Sequence, residues 1–219
     1  MEIQEILNFL KELSNNNNRE WFNSNKEKYL DAKQKFEILI DLLIHGVRKF
    51  DKGIGGLQAK DCTFRIYRDV RFSKDKSPYK TQMGGFIVPD GKKSGKAGYY
   101  FHIEPANSFV AGGMHLPPSE ILRSVRNYIF EYSDEFKSIL HDSKFITHFG
   151  EINGEKLKSA PKGFPKEFPD IELLKFKSYT VVKELSAEDL NSNDIIDNVT
   201  KIFQVMSPFI LFLNKSFKS

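Results

Sequence analysis

A chain of 219 residues with 40% hydrophobic and 28% charged residues is of ordinary globular composition and long enough to bury a sizeable core. Its single cysteine, Cys62, excludes an internal disulfide and a cysteine-based structural zinc site. With no basic, apolar leader and no uncharged apolar run near the roughly 18 residues of a membrane span, the expected compartment is the cytoplasm, with no membrane partner. The net charge of +4 is local, because residues 60–80 hold seven bases against three acids and the remainder balances. That argues against a surface coated in lysine for general nucleic-acid affinity.

In chain order, Ile3, Ile6, Leu7, Leu10 and Leu13 recur at helical spacing and predict a first helix. The run "SNNNN" predicts a turn, and Asn17 followed by Glu20 reads as a capping box that opens a helix through "REWFNSNKEKYL". Phe36, Leu39, Ile40, Leu43, Val47 and Phe50 mark a long third helix, ended by "DKGIGG". The character then changes. "CTFRIYRDV", "GGFIV", "GYYFHIE" and "SFVAGGM" are short, aromatic or β-branched, and joined by "PDGKKSGKAG" and "PANS". Short connectors favour antiparallel neighbours, so these segments predict a meander.

Helical spacing resumes after Pro117-Pro118 with Ile121, Leu122, Val125, Ile129 and Phe130. "SDEFKSILHDSKFITHFG" predicts one or two short helices, "KSAPKGFPKEFPDIELLKF" an ordered loop ending in a short helix, and "SYTVVKEL" a further strand. A last helix over Ile195–Phe217 contains Pro208, which is expected to kink it. The order is helical over 1–52, sheet-forming over 60–115, and helical with one strand over 117–219. It predicts a single α+β domain, 1–219, built on a mainly antiparallel sheet.

The segment "FRIYRDVRFSKDKSPYK", Phe64–Lys80, is the most informative. Read as extended, it places Phe64, Ile66, Val70 and Phe72 on one face with Arg68, and Arg65, Tyr67, Asp69 and Arg71 on the other. A guanidinium on an apolar face needs a carboxylate, backbone carbonyls or a bound anion, unless a bulge swings it away. Ser73, Asp75 and Ser77 predict a turn. Arg65, Arg68, Arg71, Lys76 and Lys80 are therefore candidate holders of a phosphorylated or anionic small molecule, with Asp69 and Tyr79 orienting them. An interleaved Arg/Asp network that only pins the turn is the competing reading.

His102 and Glu104 lie two apart on a predicted strand and face the same way as Tyr100. They are the candidate acid–base pair, and with His115 a candidate metal site, against the plainer reading of a polar sheet face. Gly84-Gly85 and Gly112-Gly113 predict a shallow floor for a ligand or for the packed ring of Trp21. No Walker-type or dinucleotide-type glycine motif and no Gly-x-Ser-x-Gly occurs, so no cofactor is assigned.

The string "FRIYRDVRFSKDKSPYKT", with "NNREWFNSNKEKY", "GYYFHIEP", "FVAGGMHLP", "LRSVR" and "APKGFP", resembles the signature of a widespread, mostly bacterial family known as domain of unknown function 2461. The resemblance runs from about Phe9 to Phe217. It implies a single α+β domain of this length and brings no catalytic residue with it. Three functions follow from the residues. One is a protein that binds or processes an anionic small molecule, with phosphoester chemistry preferred if it is an enzyme. The second is a nucleic-acid binder using arginines and aromatics on a sheet. The third is an interaction module whose arginines are structural.

Overall fold

A computed structural model describes residues 3–217. The N-terminal part holds helices α1 (Ile3–Asn15), α2 (Arg19–Ser24), α3 (Lys26–Val47) and the single turn α4 (Ala59–Cys62). Strands β1 (Met83–Ile87), β2 (Gly98–Ile103) and β3 (Phe109–Met114) follow. Helices α5 (Ser119–Glu131), α6 (Ser133–Leu140), α7 (Ser143–Phe149) and α8 (Ile171–Leu174) precede β4 (Tyr179–Glu184). Helices α9 (Ala187–Asn191) and α10 (Ile195–Lys215) close the chain. The strands form one antiparallel sheet in the order β1-β2-β3-β4, so the fold is α+β.

One face of the sheet carries Met83, Gly85 and Ile87 beside Tyr99, Phe101 and Ile103, then Val110, Gly112 and Met114, then Tyr179 and Val181. These residues are buried under α3 and α10, while Phe86, Tyr100, Phe109 and Val182 on the opposite face are only half-buried. This is the alternation of an antiparallel sheet covered on one side. Phe136, Phe145, Phe203, Phe209 and Phe212 fill the space around α10, each contributing roughly 2–3 kcal/mol by burial.

Helix α10 is long and apolar enough to span a bilayer by length and composition. Here Phe203, Met206, Phe209, Ile210 and Leu213 are buried in the one core that runs through the described residues. The helix continues through Pro208. Proline has no N–H for the Gln204 carbonyl, and the Ser207 hydroxyl donates to that carbonyl instead at 2.8 Å.

The structure departs from the sequence reading in four places. The sheet begins at Met83; of the strand expected over "CTFRIYRDV", Cys62 ends α4 and the remainder is irregular chain with isolated bridges at Thr63 and Tyr67. The helix expected through "REWFNSNKEKYL" breaks at Asn25 into α2 and α3. Its N-cap is Asn18, whose side chain accepts from the Trp21 N–H at 2.9 Å, and Asn17 is free for another task. Trp21 does not lie on the strand glycines but stacks on Phe9 with ring centroids 6.4 Å apart. The glycines admit other groups. A Cβ on Gly84 would stand 2.3 Å from the Tyr100 hydroxyl, one on Gly85 2.4 Å from Ile40, and one on Gly112 2.6 Å from the Met206 sulfur.

Candidate functional site

The Arg-rich segment is a long loop held at its neck. The Arg68 N–H donates to the Pro78 carbonyl at 2.9 Å, and the Lys80 N–H to the Ile66 carbonyl at 2.8 Å. These bonds flank Tyr67 and Tyr79, a close-set antiparallel pair with ring centroids 5.5 Å apart. Tyr79 is buried and stacks on Phe22 of α2 at 3.9 Å. Asn17 completes the neck. Its side-chain N–H donates to the Tyr79 carbonyl at 2.9 Å and its Oδ1 accepts the Tyr79 N–H at 3.1 Å. One amide thus imitates the edge of a neighbouring strand. Asn214 does the same for Ala97, at 2.8 and 3.0 Å.

Beyond the neck the loop is tied by its own charges. Arg71 grips Asp69 through two bonds, Nε to Oδ1 at 2.9 Å and a terminal nitrogen to Oδ2 at 2.6 Å. Arg68 pairs with Asp75, and Asp75 also accepts the Ser77 hydroxyl at 2.7 Å and the Ser77 N–H at 2.9 Å. Those Ser77 bonds, then the guanidinium, hold the Asp75 carboxyl well below the usual carboxylate range. Lys76 donates to the Val70 carbonyl and Lys80 to the Arg65 carbonyl, both at 3.0 Å. Of the partners open to Arg68, a carboxylate, backbone carbonyls or a bound anion, the free protein supplies the Asp75 carboxylate.

Arg68, Tyr79 and Lys80 meet in a cleft of about 360 Å³ whose other walls are Ser14, Asn17, Asp75, Ser77, Thr81 and Gln82. Every lining residue carries a polar group. Arg65, Asp69, Arg71 and Lys76 do not line it. Burial, and then the neighbouring Arg65 cation, push the Lys80 ammonium below its ordinary value. Among the lining residues outside the Arg-rich segment, Ser14, Thr81 and Gln82 carry no local sequence signal, and Asn17 has the sequence signal of a helix cap.

His102 and Glu104 lie on and just past β2, on the half-open face. His102 Nε2 is 3.4 Å from Glu104 Oε2, its Nδ1 is 3.0 Å from the Tyr100 hydroxyl, and its ring stacks on Phe109 at 4.4 Å. An ionised carboxylate only accepts, which assigns the ring proton to Nε2 and makes Tyr100 the donor to Nδ1. Burial, opposed by Glu104, holds the His102 pKa below its ordinary value, and burial with the Glu104 charge pushes the Tyr100 phenol up to about 12. Both imidazole nitrogens are engaged. Glu104, with its side chain 29% exposed, is the open end of this row and accepts from the Thr81 hydroxyl at 3.3 Å. Thr81 therefore joins the row to the Arg68–Lys80 cleft.

His115 does not join them. The register sets Phe109 opposite His102, which leaves His115, just past the end of β3, about 20 Å further along the chain direction. No cluster of three or more potential metal-ligating His, Cys, Asp or Glu side chains occurs among the described residues. Cys62 is buried, and desolvation pushes its thiol up to about 11.

No curated protein and no solved structure matches this chain. A family model does, over residues 5–212. The chain belongs to the family described as conserved hypothetical protein (DUF2461).

Proposed function

We propose that this protein binds a small phosphorylated or otherwise anionic molecule in the cleft between the end of α1 and the Arg-rich loop. A lining in which every residue bears a polar group, with Arg68 and Lys80 on its walls, carries the reading. Arg68 offers a planar fork for an oxyanion and Lys80 a point charge. Gln82 supplies a neutral amide beside them, and the Ser14, Ser77 and Thr81 hydroxyls, which donate to the Lys11 carbonyl, Asp75 and Glu104 in the free protein, must turn from those partners to donate to the anion. Asn17 fixes Tyr79 and so the backbone from which Lys80 extends. Asp75 holds the guanidinium in the free protein, and an incoming anion competes with it. If the ligand is processed, phosphoester chemistry suits paired cations beside a carboxylate. Glu104 is then the acid–base group and His102 its positioning residue. We place this activity in the cytoplasm, where a lone reduced thiol such as Cys62 is at home.

The test is calorimetric titration with inorganic phosphate. Asp75→Asn releases Arg68 and is expected to tighten phosphate binding several-fold, while Arg68→Ala abolishes it. Equal binding by all three proteins refutes the site. A second reading, nucleic-acid binding, is favoured by Phe72, which is 95% exposed beside Arg71 at the loop tip. It requires a salt-dependent gel shift with single-stranded RNA that Phe72→Ala weakens.

A further inference from the structure

A second cleft, of about 430 Å³, lies farther along α1, bounded by the β2–β3 turn and α9. Leu7 and Leu185, both buried, and the half-buried Leu190 line it. Gln4, Asn8 and Lys11 line this cleft, and Ser14 and Asn17 line the first. Residues 4, 8, 11 and 14 follow one another at helical spacing, so a single polar stripe of α1 walls both clefts. From Gln4 to Ser14 the stripe covers about 15 Å. The opposite walls also meet, because Glu104 lines the second cleft and accepts a hydrogen bond from the hydroxyl of Thr81, which lines the first.

We infer that the two clefts are one groove along α1, and that its ligand is an elongated amphipathic molecule with an anionic head at Arg68 and Lys80 and an apolar tail over Leu7, Leu185 and Leu190. This deepens the anion-binding reading and rests on it. Glu104 stands at the midpoint. Its carboxylate is already engaged by the Thr81 hydroxyl and the His102 ring, so an alkyl chain can pass it without leaving it unpaired. A compact anion such as inorganic phosphate fills the first cleft alone. The tail selects between otherwise similar anions, since each methylene taken out of water adds affinity.

Titration of the full chain with n-alkyl phosphates from ethyl to octyl tests this. Affinity is expected to rise about two- to fourfold for each methylene that enters the second cleft. Ala187→Trp, at an exposed position on the wall of that cleft, is expected to flatten the rise and leave ethyl phosphate binding unchanged. Octyl phosphate binding no tighter than ethyl phosphate overturns the groove and leaves the anion site standing. A rise that persists in Ala187→Trp also overturns it, because the tail then lies elsewhere. Failure of inorganic, ethyl and octyl phosphate alike overturns both readings.

Discussion

Asn17→Ala removes both hydrogen bonds that fasten Tyr79 without touching the apolar core. Each is a part-buried amide–backbone bond of 2.9–3.1 Å and contributes about 1 kcal/mol net. The freed Tyr79 groups border the cleft, where water takes up some of the loss, so the expected cost is about 2 kcal/mol rather than the full desolvation penalty of two dry groups. For a domain of this size that lowers the melting temperature by about 4–8 °C. Hydrogen exchange locates the effect. The Arg68 and Lys80 amides, which close the neck, are expected to lose protection, while Phe101 and Val110 in the centre of the sheet keep theirs. A melting temperature within about 1 °C of the parent, or uniform loss of protection across the sheet, would refute the clamp.

Three further outcomes follow from the same geometry. The His102 pKa is lowered in the folded protein, so the unfolded chain takes up that proton first, near pH 6.5; stability should fall as pH drops through that value, with His102→Gln removing this part of the slope in urea titrations, and a flat parent profile between about pH 7 and 5.5 contradicts it. Gly113 has φ of +117° and a Cβ there would stand 2.0 Å from the Tyr179 carbonyl oxygen, so Gly113→Ala should cost at least about 3 kcal/mol in chemical denaturation, and a loss under about 1 kcal/mol opposes the assignment. Cys62 should resist thiol reagents at pH 8 in the native protein and react fully in denaturant; rapid native labelling contradicts its burial.

The helices and the meander were legible because their apolar residues keep one period for long enough to define a face. Ile3, Ile6, Leu7, Leu10 and Leu13 are all buried, as are Tyr99, Phe101 and Ile103. Phe64–Phe72 has the same alternation and yet forms no strand of the sheet. Period describes a strand only where a neighbouring edge and a core are available. Thr63 bridges to Gly85, but beyond Arg68 the chain meets only its own turn, and Phe72 is left 95% exposed. Local clamps, Asp69 to Arg71 and Asp75 to Ser77, then decide its course. That Arg68 needs a polar or anionic partner was legible, but that Asp75 supplies it was not, because the Ser/Asp turn that delivers it has no apolar period. The pairing of Asn17 with Tyr79 spans 62 residues and leaves no local trace. Tyr100, His102 and Glu104 share a face as their spacing predicts, whereas the place of His115 depends on the β2–β3 register, which is not readable from sequence.

In the proposed function, Arg68 and Lys80 hold an oxyanion within the cleft. Crystals of the protein soaked with tungstate, a heavy-atom analogue of phosphate, test it most directly by anomalous scattering. A strong peak is expected within hydrogen-bonding distance of the Arg68 guanidinium and the Lys80 ammonium, with Asp75 turned away. A cleft without a peak, or peaks only at exposed cations such as Arg71 and Lys74, would contradict it.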